Sequence, residues 1–417
     1  MPKIYRQENV LSAARRRISL ALDNTERAYV AFSGGKDSTV LLHLVMEEAI
    51  KRGQKVGVMI SDLEAQYAAT VAHVRATVQH YADHIDLHWM CLPLNLRNAV
   101  TNYDPQWQAW EAGKEDIWVR QPPKEAITDP NFYPWFQPGM EFEEMVVLWG
   151  EWYGQGRPTA GFIGIRAQES LNRYMSVAVW AKTDAMLNGW RWTTLITDQV
   201  YNVYPLYDWR SEDIWRFHAA YPELSHNPIY DKMHMAGVPL SQQRLCQPYG
   251  DDQRKGLWLY HIIEPETWPR LIARVNGVNG GALYSQESGN VSGVNRIKLP
   301  EGHDWKSFTN LLLQSLPTPT RDHYIKNFKR FMKGWRRRGY SVIPDHAPPE
   351  LEANQWAPSW RRMCKCLLRN DWWCKGLGFT QPKSEAWQRY KLLKATEKEK
   401  KVREQKSIFD GNEDGQI

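Results

Sequence analysis

Ala28-Tyr29-Val30-Ala31-Phe32-Ser33-Gly34-Gly35-Lys36-Asp37-Ser38-Thr39-Val40 is the stretch of sequence that decides the fold of this chain. It begins as an apolar, β-prone run, reaches two glycines, and continues into a helical pattern of apolar residues. The stretch therefore predicts a strand, a tight turn and the N-terminus of a helix. Gly34 and Gly35 can adopt positive φ, so backbone N–H groups of the turn can point at an anion. The helix adds its own free N–H groups and the positive end of its dipole.

The side chains of this turn also suit a polyphosphate. Lys36 places a cation beside the backbone N–H groups, and Ser33 and Ser38 offer hydroxyls. Asp37 is placed to hold Mg²⁺ or to orient the loop. The alternative is an ordinary glycine-rich turn between a strand and a helix. The spacing is not that of a Walker A loop, which has four residues between its glycines.

Residues 33–38, Ser-Gly-Gly-Lys-Asp-Ser, resemble the PP-loop of the ATP pyrophosphatase superfamily. The resemblance implies that the loop holds the β,γ-pyrophosphate of ATP and that attack occurs at the α-phosphorus. The usual outcome in that superfamily is transfer of AMP with release of pyrophosphate. One branch of the superfamily binds sulfonucleotides with the same loop.

Length, charge and cysteine content set broad limits on the protein. The chain has 417 residues, which predicts two or more domains, and its formal charge of +6 is compatible with nucleotides or nucleic acid without identifying either. Its five cysteines do not resemble a disulfide framework. The sequence shows neither a signal peptide nor a membrane-spanning apolar run, so we expect a cytoplasmic protein.

Strand-like and helix-like segments alternate along the first half of the chain, which predicts an α/β fold with a parallel doubly wound sheet. After the first strand, the predicted strands cover residues 55–60, 85–92, 160–165 and a fifth segment near either 193–197 or 203–205. Asp62 follows the second strand and is placed for a ribose hydroxyl; Glu64 is a second candidate or a metal ligand, and both alternatively cap a helix.

The segment from about 98 to 156 is rich in Trp, Tyr and Pro. A structureless loop of this length is unusual in a compact domain unless it has a function. We therefore predict an insertion that contains a helix near 141–153 and forms a lid or a substrate wall. The alternative is a purely structural extension.

Three further motifs follow the loop in sequence. Gly164-Ile165-Arg166-Ala167-Gln168-Glu169-Ser170, with Arg173, resembles the second signature of the phosphoadenosine phosphosulfate (PAPS) reductase family. Pro205-Leu206-Tyr207-Asp208-Trp209 resembles the third signature, and Asn227-Pro228-Ile229-Tyr230-Asp231 resembles the substrate-side segment after it. With the PP-loop, these motifs cover about residues 25–240.

The resemblance and the spacing together define a predicted nucleotide site. Arg166 and Arg173 lie seven residues apart on a predicted helix, hence on one face, and can clamp phosphate or sulfate oxygens. Glu169 lies between them and can fix a guanidinium; Gly164 belongs to the same motif. The alternative is a set of surface ion pairs. On the substrate side the resemblance places Tyr207, Asp208 and Tyr230.

A narrower resemblance, to the immunoglobulin-binding regulator A (IbrA/YbdN) subgroup, extends over nearly the whole chain. It rests on residues 62–67, 245–257, 264–268 and 373–377. No securely defined reaction of the subgroup can be transferred to this chain. The resemblance does imply a partner protein of the ParB/sulfiredoxin-like kind.

The cysteines depart from the reductase pattern. The chain lacks both the Glu-Cys-Gly-x-His segment of PAPS reductases and the Cys-Cys and Cys-x-x-Cys elements of their iron–sulfur forms, so we expect no iron–sulfur cluster. Cys364, Cys366 and Cys374 form a weak metal pattern and are expected to be buried thiols. Cys246, beside Arg244 and Arg254 in a polar loop, is the best candidate for a reactive cysteine on the substrate side.

Beyond residue 260 the pattern becomes mostly helical. Two helices are predicted at 304–316 and 320–338, and the second carries eight Lys or Arg residues against one acid from Arg321 to Arg338. Tyr324, Phe328, Phe331 and Trp335 are interleaved with these cations. The helix either binds nucleic acid or buries its aromatic face in a core and exposes its charges to water.

These observations predict a PP-loop domain over 1–258, a mostly helical domain over 259–383, and a charged helix with a disordered tail over 384–417. The leading functional hypothesis is an enzyme that binds ATP and Mg²⁺ and adenylylates an acceptor with pyrophosphate release, within sulfur transfer or outside it. The alternatives are a sulfonucleotide (PAPS/APS) reductase or binding enzyme, and a nucleotide-sensing regulatory subunit bound to a partner or DNA. The sequence leaves the acceptor open.

Overall fold

The computed structural model describes residues 7–101, 103–178, 186–197, 199–250, 256–278 and 299–396. Its centre is a six-stranded sheet of order β3-β2-β1-β6-β8-β7. The six strands are β1 (Arg27–Ala31), β2 (Val56–Ser61), β3 (Ile85–Met90), β6 (Thr159–Phe162), β7 (Thr193–Thr197) and β8 (Val200–Val203). Two short antiparallel strands, β4 (Asn95–Arg97) and β5 (Gln106–Gln108), form a separate ribbon.

The predicted α/β class is confirmed, but the sheet is not wholly parallel. β3, β2, β1, β6 and β8 run parallel, whereas β7 pairs with β8 in antiparallel fashion. The first of the two segments predicted for the fifth strand, 193–197, is β7, whereas the second, 203–205, shares only Val203 with β8. Only residues 198 and 199 separate β7 from β8, and a parallel connection needs a crossover of a dozen or more residues.

Helices cover both faces of the sheet and continue alone beyond it. Before residue 279 they are α1 (Val10–Asp23), α2 (Lys36–Lys51), α3 (Ala68–His80), α4 (Phe142–Gly154), α5 (Leu171–Ala178), α6 (Ser211–Ala220), α7 (Ile229–Met235), α8 (Trp258–Ile263) and α9 (Trp268–Arg274). After residue 298 they are α10 (Trp305–Ser315), α11 (Thr318–Arg337), α12 (Pro349–Ala353), α13 (Trp360–Leu368) and α14 (385–396).

The two faces of β1 belong to two different apolar cores. Successive strand residues point to opposite faces, so Ala28 and Val30 pack beneath α1 and α2 while Tyr29 packs beneath α4. The ring of Trp149 lies 4.9 Å from that of Tyr29 and stacks on Tyr153. The apolar face of α4 thus explains much of the aromatic content of the 98–156 insertion.

The remaining cores show how the rest of the chain attaches to the sheet. Apolar side chains up to Val278 belong to the first core, beyond the boundary at 258 expected from sequence. A third core joins α10, α11 and α13 and buries Tyr324, Phe328, Phe331 and Trp335. Within α14, Ala386 returns to the core beneath α4. The part of the tail from 397 onward, expected to be disordered from 409, lies outside the described residues.

Across the part of the chain that the structure describes, no helix combines the length and the apolar character needed to cross a membrane.

Candidate functional site

The PP-loop is a strained turn at the carboxyl end of β1. Gly34 has φ +70, and a Cβ atom there would lie 2.6 Å from Val74 Cγ2, so both backbone conformation and space favour glycine. Gly35 is the N-cap of α2, which begins at Lys36. Within the described chain the backbone N–H groups of Gly34, Asp37 and Ser38 have no hydrogen-bond acceptor.

Lys36 is buried within this turn, with 5% of its surface exposed. Its Nζ donates to the backbone carbonyl of Gln243 at 3.3 Å and lies 3.3 Å from Asp37 Oδ2. The same Nζ is 5.1 Å from the centre of the Tyr230 ring. A cation is therefore held at the positive end of the α2 dipole. A phosphate oxygen bound there would interact with both the Lys36 ammonium and the N-terminus of the helix.

The second motif packs directly on this first helical turn. A Cβ atom on Gly164 would lie 3.2 Å from the backbone nitrogen of Ser38, so this position needs a residue without a side chain. Arg166 is 3% exposed, donates from Nε to Asp37 and from Nη1 to Ser211 Oγ at 3.3 Å. The loop after β6 is thereby fixed to the loop after β1, its neighbour in the sheet.

Arg173 occupies a different environment from Arg166. The expectation that both lie on one helix is wrong, because Arg166 precedes α5, which begins at Leu171. They are joined instead by Glu169, whose Oε1 is 3.5 Å from Arg166 Nη2 and whose Oε2 is 2.8 Å from Arg173 Nε. The side chain of Arg173 is 47% exposed, so it stands at the outer edge of the site.

The substrate-side segment, residues 227–231, supports the PP-loop by hydrogen bonds to its backbone. Asn227 donates from Nδ2 to the carbonyl of Gly34 at 2.9 Å, and the Tyr230 hydroxyl accepts the N–H of Lys36 at 3.1 Å. Burial raises the pKa of Tyr230 well above its ordinary value, so the hydroxyl stays neutral. The N–H of Lys36 is accordingly engaged by the protein.

Tyr207 and Asp208 face α1 rather than Lys36. Both oxygens of Asp208 accept from Arg17, at 2.8 and 2.6 Å, and the Arg17 guanidinium lies 4.5 Å from the centre of the Tyr207 ring. Their contact with the site is through the backbone, where Tyr207 accepts the N–H of Ala167 at 2.8 Å. These two residues position the second motif.

Asp62 and Glu64 are structural in this arrangement, which corrects their expected contact with a ribose or a metal. Asp62 is 1% exposed and accepts from Trp89 Nε1 at 2.9 Å and from Arg120. Glu64 is completely buried, and its carboxylate pairs with Arg274 Nε at 2.7 Å. In this structure both carboxylates are engaged by protein groups.

The partners of these two carboxylates were missed from the sequence. The insertion supplies Arg120 and the N–H groups of Trp110 and Val119, which donate to Glu64 at 2.7 and 3.0 Å. Arg274 comes from α9. The insertion therefore closes the carboxyl end of β2 by hydrogen bonding, and no local sequence signal indicates such long-range pairs.

A buried histidine cluster behind the loop was also missed. Burial, reinforced by the neighbouring histidines, lowers the pKa of His43 to about 3 and those of His73 and His218 to about 4. His73 Nε2 lies 3.1 Å from Thr39 Oγ1, and Thr39 is the fourth residue of α2. The three rings are neutral near pH 7 and contribute no charge to the phosphate site.

A cavity of about 290 Å³ lies between the insertion and the C-terminal core, and its lining contains no residue of the PP-loop. Cys246, which is exposed, lines it three residues after Gln243, the residue that accepts from Lys36. Polar wall residues include Asn95, Glu141 and Lys375. Arg244 donates to the carbonyl of Glu169 at 3.0 Å, whereas Arg254 lies outside the described residues.

The other four cysteines are buried. Burial raises the pKa of Cys364 to about 11 and that of Cys91 further, which suppresses thiolate formation. Cys366 Sγ lies 3.6 Å from Asp371 Oδ2. Among the described residues, no three His, Cys, Asp or Glu side chains form a group suited to a metal ion.

Two family models and one curated relative match this chain. The phosphoadenosine phosphosulfate reductase domain matches residues 27–236, and a domain of unknown function (DUF3440) matches residues 237–356 and 340–388. The uncharacterized protein YbdN of Escherichia coli (strain K12) is 43% identical over 384 residues, which cover 92% of this chain and 93% of that protein. The PAPS reductase of Candida auris, crystallised as a phosphate complex, aligns with 11% identity and a TM-score of 0.27, over 55% of this chain and 94% of that one.

Proposed function

This chain belongs to the PAPS reductase-like family, within its YbdN subgroup, and from that premise we propose that its PP-loop binds ATP with Mg²⁺ and transfers AMP to an acceptor, releasing pyrophosphate. The observation that carries the proposal is the first turn of α2. Three backbone N–H groups without a protein acceptor, on Gly34, Asp37 and Ser38, stand beside the buried ammonium of Lys36. Such a group of donors stabilises a polyphosphate.

The proposed reaction is a displacement at the α-phosphorus. A nucleophilic oxygen or nitrogen of the acceptor forms a bond to this phosphorus while the bond to the bridging α,β-oxygen breaks. The electron pair leaves with pyrophosphate, and the acceptor proton passes to water or to a base of the acceptor. Lys36 and Arg166 would oppose the charge that develops on the leaving pyrophosphate.

The donor set of the loop also suits Mg²⁺. Asp37 Oδ2 is 3.3 Å from Lys36 Nζ, at the side of the loop where phosphates are proposed to bind. Mg²⁺ is commonly held by one or two carboxylates together with substrate phosphates, so Asp37 would hold it. Bound there, the ion would neutralise phosphate charge during the displacement.

The cavity beside Cys246 is the proposed entrance for the acceptor. Its wall is polar, with Asn95, Gln247 and Lys375 among its residues, which suits a hydrophilic group. Lys375 comes from the C-terminal core, so that domain would take part in acceptor selection. A ParB/sulfiredoxin-like protein is the partner that we propose to supply this acceptor.

The alternative reaction is sulfonucleotide reduction, and the exposed Cys246 is the observation that favours it. Reduction needs a thiolate that attacks the sulfonate, and the other four cysteines are buried. However, the chain lacks the Glu-Cys-Gly-x-His segment that carries this thiol in reductases. We therefore rank adenylylation first.

Incubation with α-labelled ATP, Mg²⁺ and the co-purified partner distinguishes the hypotheses. Adenylylation predicts label in AMP or in an adenylylated product, and at least a tenfold loss in Lys36→Ala, since charged hydrogen bonds contribute about 1.5–3 kcal/mol. Lys55→Ala, an exposed cation away from the loop, is the control and should retain activity.

Two results would overturn the adenylylation proposal. Release of sulfite from PAPS with thioredoxin, abolished in Cys246→Ser, would establish the reductase alternative. Tight ATP binding without turnover in the presence of the partner would favour the regulatory subunit.

A further inference from the structure

The third core leaves one face of α11 largely exposed, and that face is basic; its Arg330 guanidinium also lies 4.1 Å from the centre of the Phe379 ring. Lys326, Arg330, Lys333 and Arg337 are exposed and follow the spacing i, i+4, i+7, i+11, so they form a single stripe along the helix. We call these four residues the basic stripe. The aromatic residues of the helix lie opposite, in the third core.

No acid balances the basic stripe in the described part of the chain. Among the residues that the structure describes, no ion pair is seen for its four members, and Asp322 pairs with Arg321 near the start of the helix. Charge is concentrated in this region as a whole. Residues 304–378 contain fourteen Lys or Arg and six Asp or Glu, a formal +8, whereas the complete chain is only +6.

A glycine beside the stripe supports a bound partner. Gly334 lies inside α11, where glycine costs about 1 kcal/mol relative to alanine. Its φ is negative and nothing lies within 4 Å of a Cβ placed there, so neither conformation nor packing requires glycine. The residue lowers the surface between Arg330 and Arg337, which would let a sugar–phosphate backbone approach the helix.

We propose that the basic stripe of α11 binds the phosphate backbone of double-stranded DNA, at a surface separate from the nucleotide site. Single strands are usually held by stacking of bases on exposed aromatics, and the four aromatics of this helix are at most 8% exposed. From Lys326 to Arg337, the basic stripe spans about 16 Å along a straight helix. The major groove of B-form DNA admits such a rod, whereas the major groove of an RNA duplex is too narrow.

Fluorescence anisotropy with a labelled 24-base-pair DNA of arbitrary sequence, at NaCl concentrations from about 50 to 200 mM, tests the proposal. The triple variant Lys326→Ala/Lys333→Ala/Arg337→Ala loses three cations. The magnitude of the negative slope of log K against log salt should therefore fall by about 2.7, since each lost phosphate contact removes about 0.9. The control Lys55→Ala/Lys124→Ala/Arg216→Ala removes the same charge from exposed positions outside this domain and should leave the slope within one contact of the native protein. Equal losses in both variants, or no binding by the native protein at 50 mM, would overturn the proposal.

Two further measurements decide between partners and between roles. Tighter binding of single-stranded DNA or of duplex RNA would overturn the choice of duplex DNA. Gly334→Gln should bind DNA at least threefold more weakly while its melting temperature stays the same or rises. Unchanged DNA affinity of Gly334→Gln would show that DNA binding does not need a glycine at this position. The proposal would fail if the triple variant also bound normally.

Discussion

The Nε–H of Arg166 donates to the Asp37 carboxylate, and this bond joins two loops that lie 129 positions apart in the sequence. Both side chains are nearly inaccessible, at 4% and 13% exposure, so the pair is largely removed from solvent. Asp37 also faces Lys36 Nζ. One carboxylate therefore aligns the two cations that we propose to contact ATP.

The losses of stability caused by substituting the two members of this pair should not be additive. Arg166→Ala leaves a buried carboxylate without its main partner, which typically costs about 3–5 kcal/mol. In Arg166→Ala/Asp37→Asn the loss should be smaller than the sum of the single losses by at least about 1 kcal/mol. Urea unfolding without nucleotide measures these quantities.

Arg173→Ala provides the matched control for this cycle. Its guanidinium pairs with Glu169 near the surface, so its loss should cost less than about 1 kcal/mol. Strictly additive effects of Asp37→Asn and Arg166→Ala would show that the two side chains are not coupled in solution.

Gly34→Ala should be among the most destabilising glycine substitutions in the sheet domain. It combines a positive φ with a Cβ contact of 2.6 Å to Val74, whereas Gly53, also at positive φ, has nothing within 4 Å. Gly53→Ala should therefore cost about 1 kcal/mol from conformation alone, and Gly34→Ala about 2 kcal/mol more. Thermal and urea unfolding give the comparison.

A second substitution separates the two causes at Gly34. Adding Val74→Ala to Gly34→Ala should recover part of the steric loss and none of the loss due to φ. If Gly34→Ala is no worse than Gly53→Ala, the close contact with Val74 is absent in solution.

The sequence predicted the parts of this site that are local. β1, the turn at Gly34 and the start of α2 follow one another within a few residues, so apolar periodicity and glycine placement were sufficient. The mostly parallel sheet and the helical C-terminal region were confirmed for the same reason. The aromatic face of α11 could also be read from its spacing.

Contacts that depend on the order of strands could not be predicted in this way. Arg166 reaches Asp37 because β6 lies beside β1, a neighbour that no local pattern specifies. Glu64 pairs with Arg274 across 210 positions, and its short distance from β2 made a ligand role look equally reasonable. The seven-residue spacing of Arg166 and Arg173 led to the wrong prediction that they share a helix, because the chain still forms a loop at Arg166.

Glu64→Gln tests whether this residue stabilises the fold rather than binds the ligand. Its carboxylate accepts from two backbone N–H groups and from Arg274. The neutral amide leaves the buried Arg274 guanidinium with the more distant Glu111 carboxylate, 3.7 Å from Nη1, as its remaining counterion among the described residues. We expect a loss of about 3–5 kcal/mol in urea unfolding. ATP affinity per folded molecule, measured by titration calorimetry, should change less than threefold.

The double variant Glu64→Gln/Arg274→Met completes this test, because it removes the buried charge that has lost its main partner, and it should be more stable than Glu64→Gln alone. A tenfold loss of ATP affinity in Glu64→Gln at unchanged stability would show that Glu64 contributes to ATP binding.

The histidine cluster behind α2 should make stability depend on pH below neutrality. The folded-state pKa values of His73 and His218 are lowered to about 4, and that of His43 to about 3, from an ordinary value of 6.5. The unfolded chain therefore binds more protons, so stability is complete above about pH 6.5 and is lost as the pH falls toward 4. At pH 5 the loss is on the order of 2 kcal/mol for each histidine. His218→Asn should reduce the slope of unfolding free energy against pH by roughly 1 kcal/mol per pH unit between pH 5 and 6, since it removes one titrating group from the difference between the two states. His346→Asn, at an exposed position, should leave that slope unchanged. Equal slopes for the native protein and His218→Asn would mean that folding does not lower the pKa of His218, and hence that water reaches the space behind the PP-loop.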